Sequence, residues 1–168
     1  MERVYLETSF ISYLASALQG RHSSDANTAH RQLSSLSWWT RQRHRFHIFI
    51  SETVFRECSS GHLDGVRQRL QIVSEAESLA PSSAIIELTK QLVEPNGPLP
   101  PKAEADATHI AFASVYGCEY LLTWNFKHIA NAVLEPALNK TIQFYGYQPP
   151  IICTPEQLLL LPGDRDLG

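Results

Sequence analysis

The sequence predicts an α/β fold with a central, mostly parallel sheet covered by helices on both faces. Two observations predict it. Strand-like runs alternate along the chain with segments of helical periodicity, and those runs are apolar throughout rather than at every second residue. Strands buried on both faces read in that way. The 168 residues suit one domain, taken as residues 1–168, with a sizeable core.

The elements follow in order. Residues 2–6 read as a strand, with Val4, Tyr5 and Leu6 in succession. Residues 9–18 carry helical spacing at Phe10, Tyr13, Leu14 and Leu18. The polar stretch "QGRHSSDANT" reads as a loop, and Asp25 is placed to cap a helix running to about Arg43, with Leu33, Leu36 and Trp39 or Thr40 inward. "FHIFI" is a second strand, and Ser51 caps a third helix, "ETVFREC". Residues 62–79 are spaced for a helix through Leu63, Val66, Leu70 and Val73, weakened by Gly65. A helix over 82–94 ends in the breaker-rich "PNGPLPP", and another over 103–116 ends at Gly117. "EYLLTW" is a third strand. "NFKHIAN" and "AVLEPALNKTIQFYG" read as helical, with Pro136 interrupting. "PIICT" closes the sheet, and Thr154, Pro155 and Gln157 match a capping box with proline at the first helical position.

Composition narrows the function. No apolar run approaches the ~20 residues that span a bilayer, so no membrane partner is expected. The chain enters a strand at once, which argues against a secretory signal. Cys58, Cys118 and Cys153 are far apart and form no Cys-x-x-Cys pair, which speaks against a zinc site and for small buried side chains in a reducing cytoplasm. A net charge of -3 does not mark the whole molecule as a nucleic-acid binder. "RQRHRFH" nevertheless gathers Arg41, Arg43 and Arg45 after Trp38 and Trp39, as a phosphate-binding patch or as cations at a helix end. There is no Gly-rich phosphate loop, no G-x-S-x-G and no Walker motif, so a small-molecule α/β enzyme has no support.

Glu7 ends the first strand on a carboxylate, where an open parallel sheet forms its sites. Asn125 follows the third strand in the same way. Glu57 lies in the helix after the second strand, on the face of Thr53 and Val54. Asp106 heads an apolar stripe through Ile110 and Ala113. Taken singly, each acid reads first as a surface or helix-capping residue. Taken together, oxygen ligands at strand ends suit Mg²⁺ or Mn²⁺, an ion that activates water for phosphoryl transfer. Thr8 and Ser9 are placed to bond a phosphate or a metal-held water, Thr8 reading foremost as a helix cap. His109 and His128 are candidates for the shell around the acids.

"YLETSFISYL", "ISETVFREC", "ADATHIAFA", "YLLTWNFKHI" and "IICTPEQLL" together resemble the motif series of the PIN-domain family, in particular the small toxins of VapBC-type toxin–antitoxin pairs. The resemblance runs from residue 3 to about 161. It implies a three-layer α/β/α fold, a cytoplasmic Mg²⁺- or Mn²⁺-dependent endoribonuclease, an antitoxin partner and a homodimer. It places the family's acids on Glu7, Glu57 and Asp106 as metal ligands and its fourth position on Asn125, which would steady a metal-bound water. Two positions depart from the usual pattern. Glu7 is longer by a methylene than the usual aspartate, and Asn125 has no charge. Both departures favour an alternative, a weakened PIN-like module that binds RNA or a protein partner. An exposed apolar patch around Tyr13, Leu14, Trp38 and Trp39 is the sequence's own argument for the dimer. Clustered acids further imply that neutralising Asp106 relieves repulsion and raises stability slightly.

Overall fold

Residues 1–159 are described in a computed structural model, so positions 160–168 of the expected domain lie outside the described residues. The strands are β1 (Glu2–Leu6), β2 (Phe46–Ser51), β3 (Glu77–Leu79), β4 (Tyr120–Leu122) and β5 (Ile151–Cys153). They form one sheet in the order β3-β2-β1-β4-β5, parallel at every pairing. The helices are α1 (Thr8–Leu18), α2 (Ala26–Arg41), α3 (Glu52–Cys58), α4 (Leu63–Val73), α5 (Ser83–Leu92), α6 (Glu104–Val115), α7 (Glu135–Phe144) and α8 (Pro155–Leu158).

The strand order decides where a site can form. The chain steps outward from β1 to β2 to β3, then returns to β4 on the other side of β1. Crossovers between parallel strands are right-handed, so this reversal sends the early helices to one face and the later ones to the other. Packing agrees: α1 lies against α2 and α4, while α5 lies against α6 and α7. The α/β/α layering read from the sequence is therefore present. The reversal falls between β1 and β4, and open parallel sheets form their sites beyond the carboxyl ends of strands at such a reversal.

The sheet's centre carries the core. Val4, Tyr5, Leu6, Leu121 and Leu122 are fully buried. Trp38 of α2 meets Phe10 edge-on and stacks on Phe46, both at 5.6 Å between centroids. From Ala107 to Ser114 α6 is buried on nearly every side, which suits its small residues Ala107, Ala111, Ala113 and Ser114. It ends at Gly117, whose φ of +65° suits glycine, with the Cys118 N–H donating back to Ala113 at 2.8 Å. At α8 the Thr154 N–H donates to the Gln157 side chain at 2.8 Å, completing the expected capping box.

Four expectations need correction. The helix read over 62–79 stops at Val73, and Glu77–Leu79 forms the edge strand beside β2. With Glu77 and Ser78 exposed, only Leu79 offers an apolar signal there. "NFKHIAN" is a series of turns, and Pro136 belongs to the first turn of α7 rather than interrupting a longer helix. On α2 the buried positions are Gln32, Ser35, Trp38 and Trp39, leaving Leu33 exposed. The polar pair is admitted because Gln32 donates to the Arg21 carbonyl at 2.9 Å and Ser35 accepts from the Trp124 indole at 2.8 Å. Finally, Leu14 and Trp38 are fully buried and Trp39 nearly so, with only Tyr13 half-buried. The aromatic surface expected to drive a dimer is consumed inside the chain.

All three cysteines are free and buried. Burial pushes each thiol up from 9.0 to about 12. Only the thiolate attacks a disulfide reagent, so at about pH 8 the folded protein should not react with Ellman's reagent within minutes, and the unfolded chain should titrate all of its thiols. Fast reaction of one thiol in the folded state would show that its pocket opens. No helix among the described residues is long and apolar enough to cross a membrane.

Candidate active site

β1 delivers Glu7 to the carboxyl end of the sheet's centre, and the residue is only 5% exposed. Its backbone N–H continues the sheet by donating to the Leu122 carbonyl at 3.1 Å. Its side chain turns back to cap α1, accepting from the Ser9 N–H at 3.1 Å. A carboxylate suits a helix N-terminus, where unpaired N–H groups carry partial positive charge. Two hydroxyls complete its shell: Ser9 Oγ donates to Oε2, and Thr123 Oγ1 donates to the same oxygen at 2.7 Å. Each hydroxyl also accepts a backbone N–H, from Trp124 at 2.9 Å and from Asn125 at 2.9 Å. Glu7 is thus the centre of a clip that ties the end of β1 to the end of β4. All three donors converge on Oε2.

Glu57 is the more open acid, with its side chain 37% exposed. Its Oε1 accepts from Thr8 Oγ1 at 3.1 Å and from His109 Nε2 at 2.7 Å. His109 is buried, and a carboxylate only accepts, so Nε2 carries the hydrogen. On the other side of the ring, Nδ1 lies 2.8 Å from the Tyr5 hydroxyl, itself 2.7 Å from Ser51 Oγ. A neutral ring accepts from the Tyr5 hydroxyl at Nδ1, whereas the protonated ring, whose charge attracts Glu57, donates to it. Ser51 also caps α3, accepting from the Val54 N–H at 3.3 Å. Burial foremost holds the Tyr5 phenol well above its usual 10.0, so it remains a donor.

Asp106 sits in the first turn of α6. Its Oδ1 accepts from Asn125 Nδ2 and its Oδ2 from His128 Nδ1, both at 2.9 Å. The Asn125 carbonyl oxygen accepts from the His128 N–H at 3.1 Å. Asn125 therefore both braces the turn after β4 and orients Asp106, and its carbonyl oxygen is already in use.

Glu7, Glu57, Asp106 and Asn125, with Thr8, Ser9, His109 and His128, form linked hydrogen-bonded sets at one end of the sheet. Thr8 does not cap α1, since Glu7 does. Arg41, Arg43 and Arg45 are not brought there. They lie before β2, at the opposite end of the sheet, where Arg43 pairs with Glu75 and stacks 4.4 Å over Trp39. Sequence reasoning missed Tyr5, Ser51 and Thr123. Tyr5 shares a strand face with Glu7 by the two-residue period, which was the available signal. Thr123 is a hydroxyl at the strand end facing Glu7.

Three carboxylates without thiolate suit a hard divalent cation in donor type. Their placement suits it less. Each is turned toward its own protein donors, and among the described residues no group of three or more His, Cys, Asp or Glu side chains is placed to hold one ion. Repulsion between neighbouring acids does not dominate either. Although burial raises the Glu57 carboxyl, the hydrogen bond from His109, its attraction and the bond from Thr8 bring it below the usual 4.5.

That shift has a definite sign. A lowered folded-state value stabilises the fold above 4.5, and the contribution is lost as pH falls through the folded value. Denaturation midpoints of the native protein and of Glu57→Gln should therefore differ most at neutral pH and converge in acid below 4.5. A gap that does not change with pH would show that the Glu57 charge is not what His109 and Thr8 hold.

No family profile and no curated protein matches the sequence. Solved structures do resemble the fold. VapC20 of Mycobacterium tuberculosis, described as a sarcin-ricin loop cleaving toxin, superposes with a TM-score of 0.53 at 16% identity, covering 76% of this chain and 93% of its own. FitAB, solved bound to an IR36 DNA fragment, gives 0.55 at 13% identity, covering 90% and 94%. At such identities the likeness is one of architecture, and on it the chain has the PIN-domain fold.

Proposed function

We propose that this protein is a cytoplasmic endoribonuclease dependent on Mg²⁺ or Mn²⁺, and the toxin of a toxin–antitoxin pair. One observation carries the reading. Glu7 is joined to the Asp106–Asn125 pair through the Thr123 hydroxyl, which accepts the Asn125 N–H, and Glu57 is bonded to Thr8, the residue after Glu7, beside the seam where the strand order reverses. The neighbour described as a sarcin-ricin loop cleaving toxin supports the substrate class, and the antitoxin partner rests on the family resemblance. The homodimer implied by the family resemblance rests on that resemblance alone.

Glu7, Glu57 and Asp106 would hold the ion. When bound, a divalent cation activates water and offsets charge developing on a phosphodiester. The protein's own part is alignment. Ser9 and Thr123 fix Glu7, His109 and Thr8 fix Glu57, and Asn125 and His128 fix Asp106. Cation binding competes with these donors, so millimolar affinity is the expected range. The same competition supports a second reading, a PIN-like module that binds RNA or a protein without cutting.

Asp106→Asn separates them. It should abolish metal-dependent cleavage of single-stranded RNA and the heat of Mn²⁺ binding. The variant should also lose about 1 kcal/mol of stability, because an amide NH₂ would face a donor, Asn125 or His128, across a partly buried contact. This reverses the expectation of relieved repulsion. Cleavage that survives in Asp106→Asn would remove Asp106 from the metal site, and no cleavage with Mn²⁺ by either protein would overturn the nuclease reading.

A further inference from the structure

Beside the acids lies an aromatic cluster with a cation at its centre. Trp124, the residue after Thr123, is buried and meets Tyr13 and Phe126 edge-on at 6.4 and 6.1 Å between centroids. The Arg31 guanidinium of α2 sits over all three rings, 5.6 Å from Tyr13, 5.7 Å from Trp124 and 5.3 Å from Phe126. It also donates to the Tyr13 hydroxyl at 3.1 Å. The cluster is anchored to the site itself. The Trp124 N–H donates to Ser9 Oγ, the hydroxyl that holds Glu7, and its indole donates to Ser35.

Phe126 is the member left outside, with 46% of its surface exposed. A lone exposed phenylalanine is ordinary. This one is distinguished by what pins it and what surrounds it. It stands one residue past Asn125, whose side chain holds Asp106. The turn is braced by the Ala130 N–H on the Asn125 carbonyl at 2.8 Å, by Asn131 Nδ2 on the Lys127 carbonyl at 2.8 Å, and by the fully buried Ile129. The ring's exposure is thus built into the backbone. Lys127 next to it is exposed, and Arg31 lies over one face of the ring, so a base would stack on the other face. The nearest acid on α8, Glu156, is taken up by His30 and by the Ser34 hydroxyl at 3.0 Å.

A flat apolar ring with two cations beside it complements one chemical unit, a nucleobase attached to phosphates. Bases stack on aromatic rings and on guanidinium planes, and lysine meets the backbone charge. A paired base in a duplex hides its faces, so the ring selects an unpaired one. We propose that Phe126, flanked by Arg31 and Lys127, is a stacking subsite for an unpaired RNA base next to the carboxylates. The proposal rests on the nuclease reading for its choice of RNA, and binding can be measured apart from cleavage.

The test uses the full chain and a fluorescein-labelled single-stranded oligoribonucleotide, read by anisotropy with metal chelated. Phe126→Ala should weaken binding about tenfold, and Phe126→Tyr should restore it. The Phe126→Ala loss should persist at raised salt and vanish when the probe carries abasic sites. Lys127→Ala should weaken binding with a shallower salt dependence. With Mn²⁺, Phe126→Ala should raise KM and leave kcat unchanged. Equal RNA binding by native protein and Phe126→Ala would overturn the subsite, as would a loss confined to binding of an antitoxin protein. RNA binding that depends on Phe126 without any cleavage would sustain the subsite and refute the nuclease. Cleavage with an unchanged KM in Phe126→Ala would do the reverse.

Discussion

A carboxylate that is 5% exposed cannot be left without partners, and the arrangement around Glu7 follows from that requirement. The partners come from a helix and a strand end: the Ser9 N–H and hydroxyl at the start of α1, and the Thr123 hydroxyl at the end of β4. Because each hydroxyl also takes a backbone N–H from the residues after β4, satisfying the charge closes the sheet's central seam. The same backbone stretch then presents Asn125 to Asp106 and Phe126 to solvent. Charge satisfaction, strand pairing and site assembly are one event.

The other two acids are held by different means. Glu57 depends on a buried relay through His109, Tyr5 and Ser51 that reaches the N-cap of its own helix. Asp106 depends on side chains from a turn. Charge-assisted hydrogen bonds are stronger than neutral ones, so each acid is settled without a cation. The consequence is a site whose donor chemistry suits a hard ion while its resting arrangement serves the fold. At Asp106, where both oxygens accept hydrogen bonds, a cation competes with protein donors, which ties affinity to the strength of that network.

The sequence made β1 and β2 legible because their apolar runs are long enough to stand out, and it made Glu7, Glu57 and Asp106 legible because each follows or faces an element boundary. β3 was hidden, since "ESL" offers one inward residue on an edge. The phase of α2 was hidden too: Gln32 and Ser35 are buried by hydrogen bonds to Arg21 and Trp124, partners distant in the fold and invisible to hydrophobic periodicity. Trp38 and Trp39 read as surplus apolar area because their partners, Phe10 and Phe46, come from other elements. Asn125 read as a residue at a strand end, and in the fold its side chain holds Asp106 while bracing the turn through the His128 N–H. Tyr5 read as core, and it is core, with a hydroxyl that also orients a catalytic candidate.

The sharpest measurement is anomalous diffraction from crystals soaked in millimolar Mn²⁺. The arrangement described here predicts one strong peak within coordination distance of carboxylate oxygens from Glu7, Glu57 and Asp106, with Asp106 drawn away from His128 or Asn125. No peak at that sheet end, with every carboxylate still on its protein donors, would contradict the metal-dependent site and leave the acids with a structural role.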